Sequence, residues 1–276
     1  MGVLYVVATP IGNLADLSDR ARDVLRDCPV IVAEDTRRTG KLLSSFGLSA
    51  RLVSLNEHNT SRRIGPILER LAEGDVALVS DAGTPTINDP GYLLVQAAHQ
   101  HGIPVRSIPG PSAVVAALSV SGLPATPFTF WGYAPRGAGE LATWIDKWSR
   151  SAMTAVFFEA PGRIERTIAA VASADPDCTL VVCRELTKLY EQVVKGAATE
   201  IAEKIVTGEI PKKGEFVIVA RGSDRESEID VTDLLRRRLE AGDGPNQAAK
   251  LVAAETGRSK SDLYTMALAI KADYSG

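Results

Sequence analysis

The chain has 276 residues, of which 45% are hydrophobic and 24% charged, with a formal net charge of −3. This length gives one large or two medium domains and ample material for a core, and no apolar run approaches the ~20 residues of a membrane span. The charge excludes a uniformly basic nucleic-acid coat but leaves room for local basic patches. The first residues lack a basic n-region and a long apolar stretch, so they read as a β-strand rather than a signal peptide. Cys28, Cys178 and Cys183 form neither a C-x-x-C pair nor an even set, which fits a reducing, cytoplasmic setting. With His58, His99 and His101 as the only histidines, and no zinc-type spacing, no metal is expected.

Short β-branched apolar runs alternate with amphipathic stretches. Residues 3–8, 30–33, 51–54, 76–80 and 104–108 read as five strands. Between them, residues 18–26 start on a plausible Ser18 cap, and residues 60–72 place Ile64, Ile67, Leu68 and Leu71 at helical spacing. Alternating strand and helix predicts a parallel, doubly wound sheet over residues 1–113. After residues 113–121, the Pro/Gly-rich run 122–127 reads as an inter-domain hinge. A second α/β series then fills residues 122–222. Its strands are predicted at 128–131, 154–158, 179–183, 190–194 and 216–220, and its helices at 141–148, 163–172 and 199–206. Residues 222–228 read as a charged linker. Residues 230–276 form a helical appendage with two helices, 245–255 and 259–270, turning at Gly257.

Glycine, proline and small polar residues cluster where these strands end. The first strand runs into Thr9–Asn13, the fourth into Ser80–Pro85 and Asn88–Gly91, and the fifth into Pro109–Ala113. In open α/β sheets ligands bind at the carboxyl ends of strands, where small residues let them approach the backbone. These loops on one sheet edge point to a small-molecule pocket. Gly137–Ala142 matches G-x-G-x-x-G/A but does not run off a strand, and it reads as a loop. No phosphate-loop motif occurs, and the histidines all precede Ser112, against the order of a Ser–Asp–His hydrolase. Two polar clusters open on the same edge, Glu34–Arg38 and Asn56–Asn59. Asp35 reads equally as a helix N-cap or as a functional carboxylate, and His58 as a loop histidine or a substrate contact.

In order along the chain, LYVVATPIGNLADLS, VIVAEDTRRTGKLL, LVSDAGTPTINDPG, IPGPSAVVAALSVSGLP, RELTKLYEQVVKG and KGEFVIVA resemble the signatures of the ribosomal RNA small subunit methyltransferase I family. These are bacterial 16S rRNA (cytidine-2′-O)-methyltransferases of the tetrapyrrole-methylase-like superfamily. The resemblance spans residues 3–220, with an appendage like the family's C-terminal helices after it. It implies two α/β domains enclosing a cleft for S-adenosylmethionine, a homodimer, and 16S rRNA of the small ribosomal subunit as substrate. By motif, the cofactor residues would be Pro10, Asp81, Ala82, Gly83, Thr84, Ile87, Ser112, Ala113, Phe158 and Leu186. A ribose hydroxyl is a poor nucleophile and needs a base, or a cation beside the developing alkoxide. Asp35, His58 and Arg184 are the candidates for that role. RNA phosphate contact needs local cations, available at Arg37, Arg38 and Lys41, at Arg62 and Arg63, at Lys212 and Lys213, and at Arg236–Arg238. A related methylase acting on a tetrapyrrole or other small molecule, and a non-catalytic ribosome-assembly factor, are the alternatives.

Overall fold

A computed structural model describes residues 2–221 and 231–273. The first sheet comprises β1 (Leu4–Val7), β2 (Val30–Ala33), β3 (Arg51–Ser54), β4 (Val76–Val79) and β5 (Val105–Ile108), in the order β3-β2-β4-β1-β5. Every pairing in it is parallel. β2 (VIVA) and β4 (VALV) are buried at every position, as central strands covered on both faces must be. The period-2 alternation sorts their side chains between two layers. Val30, Val32, Val76 and Leu78 meet α3 (Thr60–Glu73) and α4 (Tyr92–Gln100), whereas Ile31, Ala33, Ala77 and Val79 meet α1 (Asp19–Asp27) and α2 (Thr36–Ser45). The expected doubly wound sheet is therefore present. α1 is capped by Ser18, whose hydroxyl accepts from Ala21 N at 3.1 Å.

The second sheet is mixed. Its strands are β6 (Phe128–Tyr133), β7 (Thr154–Glu159), β8 (Thr179–Arg184), β9 (Gln192–Ala197) and β10 (Phe216–Ala220), in the order β6-β7-β10-β8-β9. Only β6 and β7 run parallel. One face packs on α6 (Ala138–Ser149), α7 (Ile164–Ala174) and α8 (Ala198–Thr207) around Trp148, Phe157 and Ile201. The other face, with Val156, Val181 and Val219, packs on α5 (Ala113–Ser121) through Val114, Ala117 and Leu118. The chain therefore passes between the sheets at residues 109–112, ahead of α5, and not at the expected hinge. Gly122, at φ 61°, is the left-handed C-cap of α5. The Gly137–Ala142 motif also differs from expectation: α6 starts at Ala138, so these residues form its first turn rather than a loop.

Among the described C-terminal residues there are three helices, not two: α9 (Val231–Glu240), α10 (Pro245–Thr256) and α11 (Lys260–Asp273). They enclose a small core of Val231, Leu235, Ala248, Val252, Leu263 and Ala267. The predicted linker at 222–228 lies outside the described residues. Among the described residues, no helix is long and apolar enough to cross a membrane.

Candidate active site

The carboxyl ends of the parallel strands lead into the glycine-containing loops, and these loops are bound to one another. Thr9 and Gly83 exchange backbone hydrogen bonds of 2.9 and 3.0 Å. The Thr9 hydroxyl donates to Ser80 O at 3.3 Å, and the Thr84 hydroxyl donates to Pro111 O at 3.1 Å. Gly83 sits at φ 81°, where a side chain would be strained. In the same loop Thr86 and Asn88 hold φ of 73° and 64° without being glycine. Strained non-glycine residues of this kind persist where surrounding structure over-determines them, and they concentrate at ligand sites.

These loops form one wall of a cleft of about 400 Å³. The facing wall comes from strand ends of the second sheet: Tyr133, Phe158 to Pro161, Leu186, and Glu215 to Val217. Phe158 is held edge-on between Phe130 (ring centroids 5.0 Å apart) and Tyr133 (5.5 Å). The walls meet tightly. A Cβ on Gly12 would lie 2.5 Å from Lys188 Cγ and 3.0 Å from Leu186 O, so only glycine fits this seam without displacement. A Cβ on Gly132 would lie 2.8 Å from Asn88 Oδ1.

Beneath the second wall Glu159 is fully buried and fully partnered. Its carboxylate pairs with Arg163 at 2.6 Å and accepts from the Thr167 hydroxyl and from Ala160 N at 2.7 Å. Arg163 also donates to Ala134 O at 2.9 Å, fixing the exit of β6 to the start of α7.

The charge in the cleft is mostly negative. Asp81 is neutralised by Arg38 at 3.1 Å and accepts Asp35 N at 3.1 Å. Glu34 and Asp89 stand nearby. Burial first, and then the charges of Asp81 and Asp89, push the Glu34 carboxyl up. Burial first, and then the charge of Asp81, push the Asp89 carboxyl up to about 6, with the nearby Ser80 hydroxyl opposing the shift. Burial, with Glu215, Asp89 and Glu159 adding, raises the Tyr133 phenol. The Cys183 thiol on the cleft floor is pushed up to about 12, chiefly by burial. Among the described residues, no group of three or more His, Cys, Asp or Glu side chains is disposed to hold a metal.

Asp81, Ala82, Gly83, Thr84, Ile87, Ser112, Ala113, Phe158 and Leu186 all line this cleft. Pro10 does not; its neighbour Ile11 does. Asp35, His58 and Arg184 are not among the lining residues. Asp35 caps α2, accepting Arg37 N at 2.8 Å, and binds the Arg37 guanidinium at 3.1 Å. His58 is exposed in the loop after β3, its N–H donating to Asn56 Oδ1 at 3.1 Å. The Arg184 guanidinium is spent on the carbonyls of Lys213 (2.6 Å) and Tyr190 (3.1 Å). Glu159 ends the strand whose Phe158 was expected to close over the cofactor. Glu34, Arg38, Asp89 and Glu215 lie inside motifs that the sequence marks but were not expected as cleft-lining residues, and Tyr133 ends β6 with no loop signature.

The chain resembles known proteins over its whole length. A model of the tetrapyrrole (corrin/porphyrin) methylases matches residues 3–202, and one of the RsmI C-terminal HTH domain matches residues 225–271. "Ribosomal RNA small subunit methyltransferase I" of Xylella fastidiosa is 42% identical over 95% of this chain and 98% of that protein. The protein of that name from Neisseria meningitidis serogroup B is 41% identical over 98% of this chain and 94% of its own length. Among solved structures, a diphthine synthase covers 83% of this chain and 94% of its own, with a TM-score of 0.59 at 15% identity, a likeness of fold.

Proposed function

Because this chain belongs to the ribosomal RNA small subunit methyltransferase I family, within the tetrapyrrole methylases, we propose that it methylates the ribose 2′-oxygen of a cytidine in 16S rRNA, with S-adenosylmethionine as methyl donor. The observation that carries this reading is the cleft itself. One wall is small-residue backbone locked by Thr9, Gly83 and Thr84, and the other is an aromatic and apolar wall around Phe158 and Leu186.

The residues present fit that cofactor. Gly83 and Ala82 leave the backbone open to close approach. Phe158, Leu186 and Ala113 offer apolar surface for a flat base, and the carboxylates of Glu34, Asp81 and Asp89 suit cationic groups. When bound, the cofactor supplies an electrophilic methyl group on a positively charged sulfur. The protein's own work is positional. The loop ties and the Glu159–Arg163 pair fix the walls, and holding nucleophile and methyl carbon in line contributes much of the rate.

Phosphates are poor company for the cleft carboxylates, so RNA is held at its rim. Arg37, Lys41, Arg62 and Arg63 stand on α2 and α3, at the rim of the first sheet. Asp35 and His58 belong to this RNA-facing rim, and Arg184 acts by holding the turn that carries Leu186. The C-terminal helices, with Arg236–Arg238, dock the small subunit of a cytoplasmic ribosome, and the enzyme works as a homodimer. Mass-spectrometric mapping of ribose methylation on 16S rRNA, from cells with and without the protein, tests the reading. One cytidine should lose its 2′-O-methyl group, and an unchanged map would refute it. Sedimentation of the purified protein checks the dimer.

A further inference from the structure

We propose that Asp89 is the general base of this cleft, taking the proton from the ribose hydroxyl; this rests on reading the cleft as a 2′-O-methyl transfer site. A base must face the cleft, accept a proton and not be bound to a cation. Of the cleft carboxylates, Asp81 is held by Arg38, Glu159 by Arg163 and Glu215 by Lys188. Such partners favour the ionised form and weaken a base. Glu34 and Asp89 have no cation within salt-bridge distance among the described residues, but the Asp81 backbone and the Arg38 charge both favour the ionised form of Glu34, which follows β2.

Asp89 is placed differently. It follows Asn88, at φ 64°, and precedes Pro90 and Gly91, at φ 121°, so its backbone is fixed from both sides. A Cβ on Gly91 would lie 2.7 Å from Leu78 Cδ2, which seats this turn directly on the core of the first sheet. The neighbouring Asn88 abuts Gly132 on β6, bringing Asp89 to the line where the two walls meet. Tyr133 faces it from β6, Asp81 and the Ser80 hydroxyl from the β4 loop, and Glu34 from β2, while Arg38 on α2 is engaged with Asp81. A carboxyl pushed up to about 6 is ionised at neutral pH yet is a better base than an ordinary aspartate.

The step balances. As an Asp89 oxygen accepts the hydroxyl proton, the ribose oxygen bonds to the methyl carbon and displaces sulfur, which keeps the electron pair of the broken carbon–sulfur bond. Asp89 then returns its proton to solvent, and one proton is released per methyl transferred.

The test uses the full chain, S-adenosylmethionine and small ribosomal subunits lacking the modification. Asp89→Asn should slow single-turnover methyl transfer at saturating S-adenosylmethionine by ~10²-fold or more, well beyond the ~3–10-fold loss of cofactor affinity, read by calorimetry, that removing one cleft charge gives. The parent's rate should fall on the acid side with a midpoint near 6. Independently of turnover, carbon NMR of aspartate-labelled protein should show a carboxyl titrating near 6 that vanishes in Asp89→Asn. An active parent matched by Asp89→Asn overturns the assignment alone. A parent that methylates no ribose overturns the functional reading and the assignment with it.

Discussion

Replacing Arg163 by Met removes the only salt-bridge partner of Glu159 among the described residues, and it shows how the cleft wall is held. The Glu159 side chain is 0% exposed and that of Arg163 22%. Without the guanidinium, the carboxylate keeps only the Thr167 hydroxyl and Ala160 N, and Ala134 O loses its donor. Breaking a buried ion pair from one side costs about 3–5 kcal/mol, because the remaining charge stays desolvated. For a chain of this size that is a fall of roughly 6–20 °C in Tm. Glu159→Gln with Arg163→Met removes the charge as well, leaving an amide that still accepts from Thr167. The double variant should therefore recover all but about 1 kcal/mol. Urea unfolding followed by circular dichroism measures all three proteins. Since Ala160 and Pro161 line the cleft, calorimetry should show cofactor affinity falling and recovering in parallel. A double variant as unstable as Arg163→Met would refute the reasoning, since the cost would then not come from an unpaired charge.

Gly83→Val places a β-branched residue at φ 81°, costing about 1–3 kcal/mol of strain, and fills the backbone approach. The variant should stay folded by circular dichroism and bind S-adenosylmethionine at least ~10-fold more weakly, and equal affinity would show the pocket to be elsewhere. Asp89 binds its proton more tightly when folded, so its contribution to stability is greatest at low pH and is lost as pH rises from about 4 towards about 6. Asp89→Asn should then be the more stable protein above pH ~6 and equal to the parent near pH ~4 in urea titrations, and a constant difference across that range would contradict it. Replacing Arg236–Arg238 with alanine should weaken small-subunit binding and flatten its salt dependence, by ~1 in slope for each phosphate that is no longer neutralised, while cofactor affinity is unchanged; an unaltered slope would remove these arginines from the RNA interface.

Much of this architecture is legible in the sequence because parallel strands leave little choice. VIVA and VALV must be covered on both faces, and the glycine loops at their carboxyl ends mark the cleft before any geometry is known. What was missed depends on packing across sequence distance. The Pro/Gly run after α5 looks like a hinge, yet the apolar face of α5, ahead of that run, already belongs to the second sheet. α9, with TDLLRRRLE, shows a charge run more plainly than a helical stripe, and Val231 and Leu235 acquire a core only from α10 and α11. Asp35 was legible as a cap, and the fold adds that its carboxylate also binds the Arg37 guanidinium. Arg184 sits inside a specific motif, and only the fold reveals that its guanidinium is consumed by two carbonyls. Glu34 and Asp89 lie 55 positions apart, 34 to 89; their loops are legible at one sheet edge, but only packing shows that both carboxylates line the same cleft.

That shared cleft bears on turnover as well as on binding. With Asp81 paired to Arg38, Glu159 to Arg163 and Glu215 to Lys188, the uncompensated charge is that of Glu34 and Asp89. The field favours a cationic occupant. Methyl transfer converts the positive sulfonium to a neutral thioether, so the same carboxylates that help gather the cofactor contribute nothing to holding its product's sulfur. At an effective dielectric of about 20, a unit charge ~8 Å away is worth about 2 kcal/mol, and partial exposure reduces this to about half. Glu34→Gln should therefore weaken S-adenosylmethionine by ~3–10-fold and leave the demethylated thioether nearly unchanged. The comparison belongs on the alkaline side, which favours the ionised form against the burial that raises the Glu34 carboxyl. Paired calorimetric titrations of the two ligands decide it. Equal losses for both would place the effect in packing, and no loss for either would mean that Glu34 does not sense the sulfur. The expected selective loss would show that the acidic wall serves cofactor capture without holding back the product.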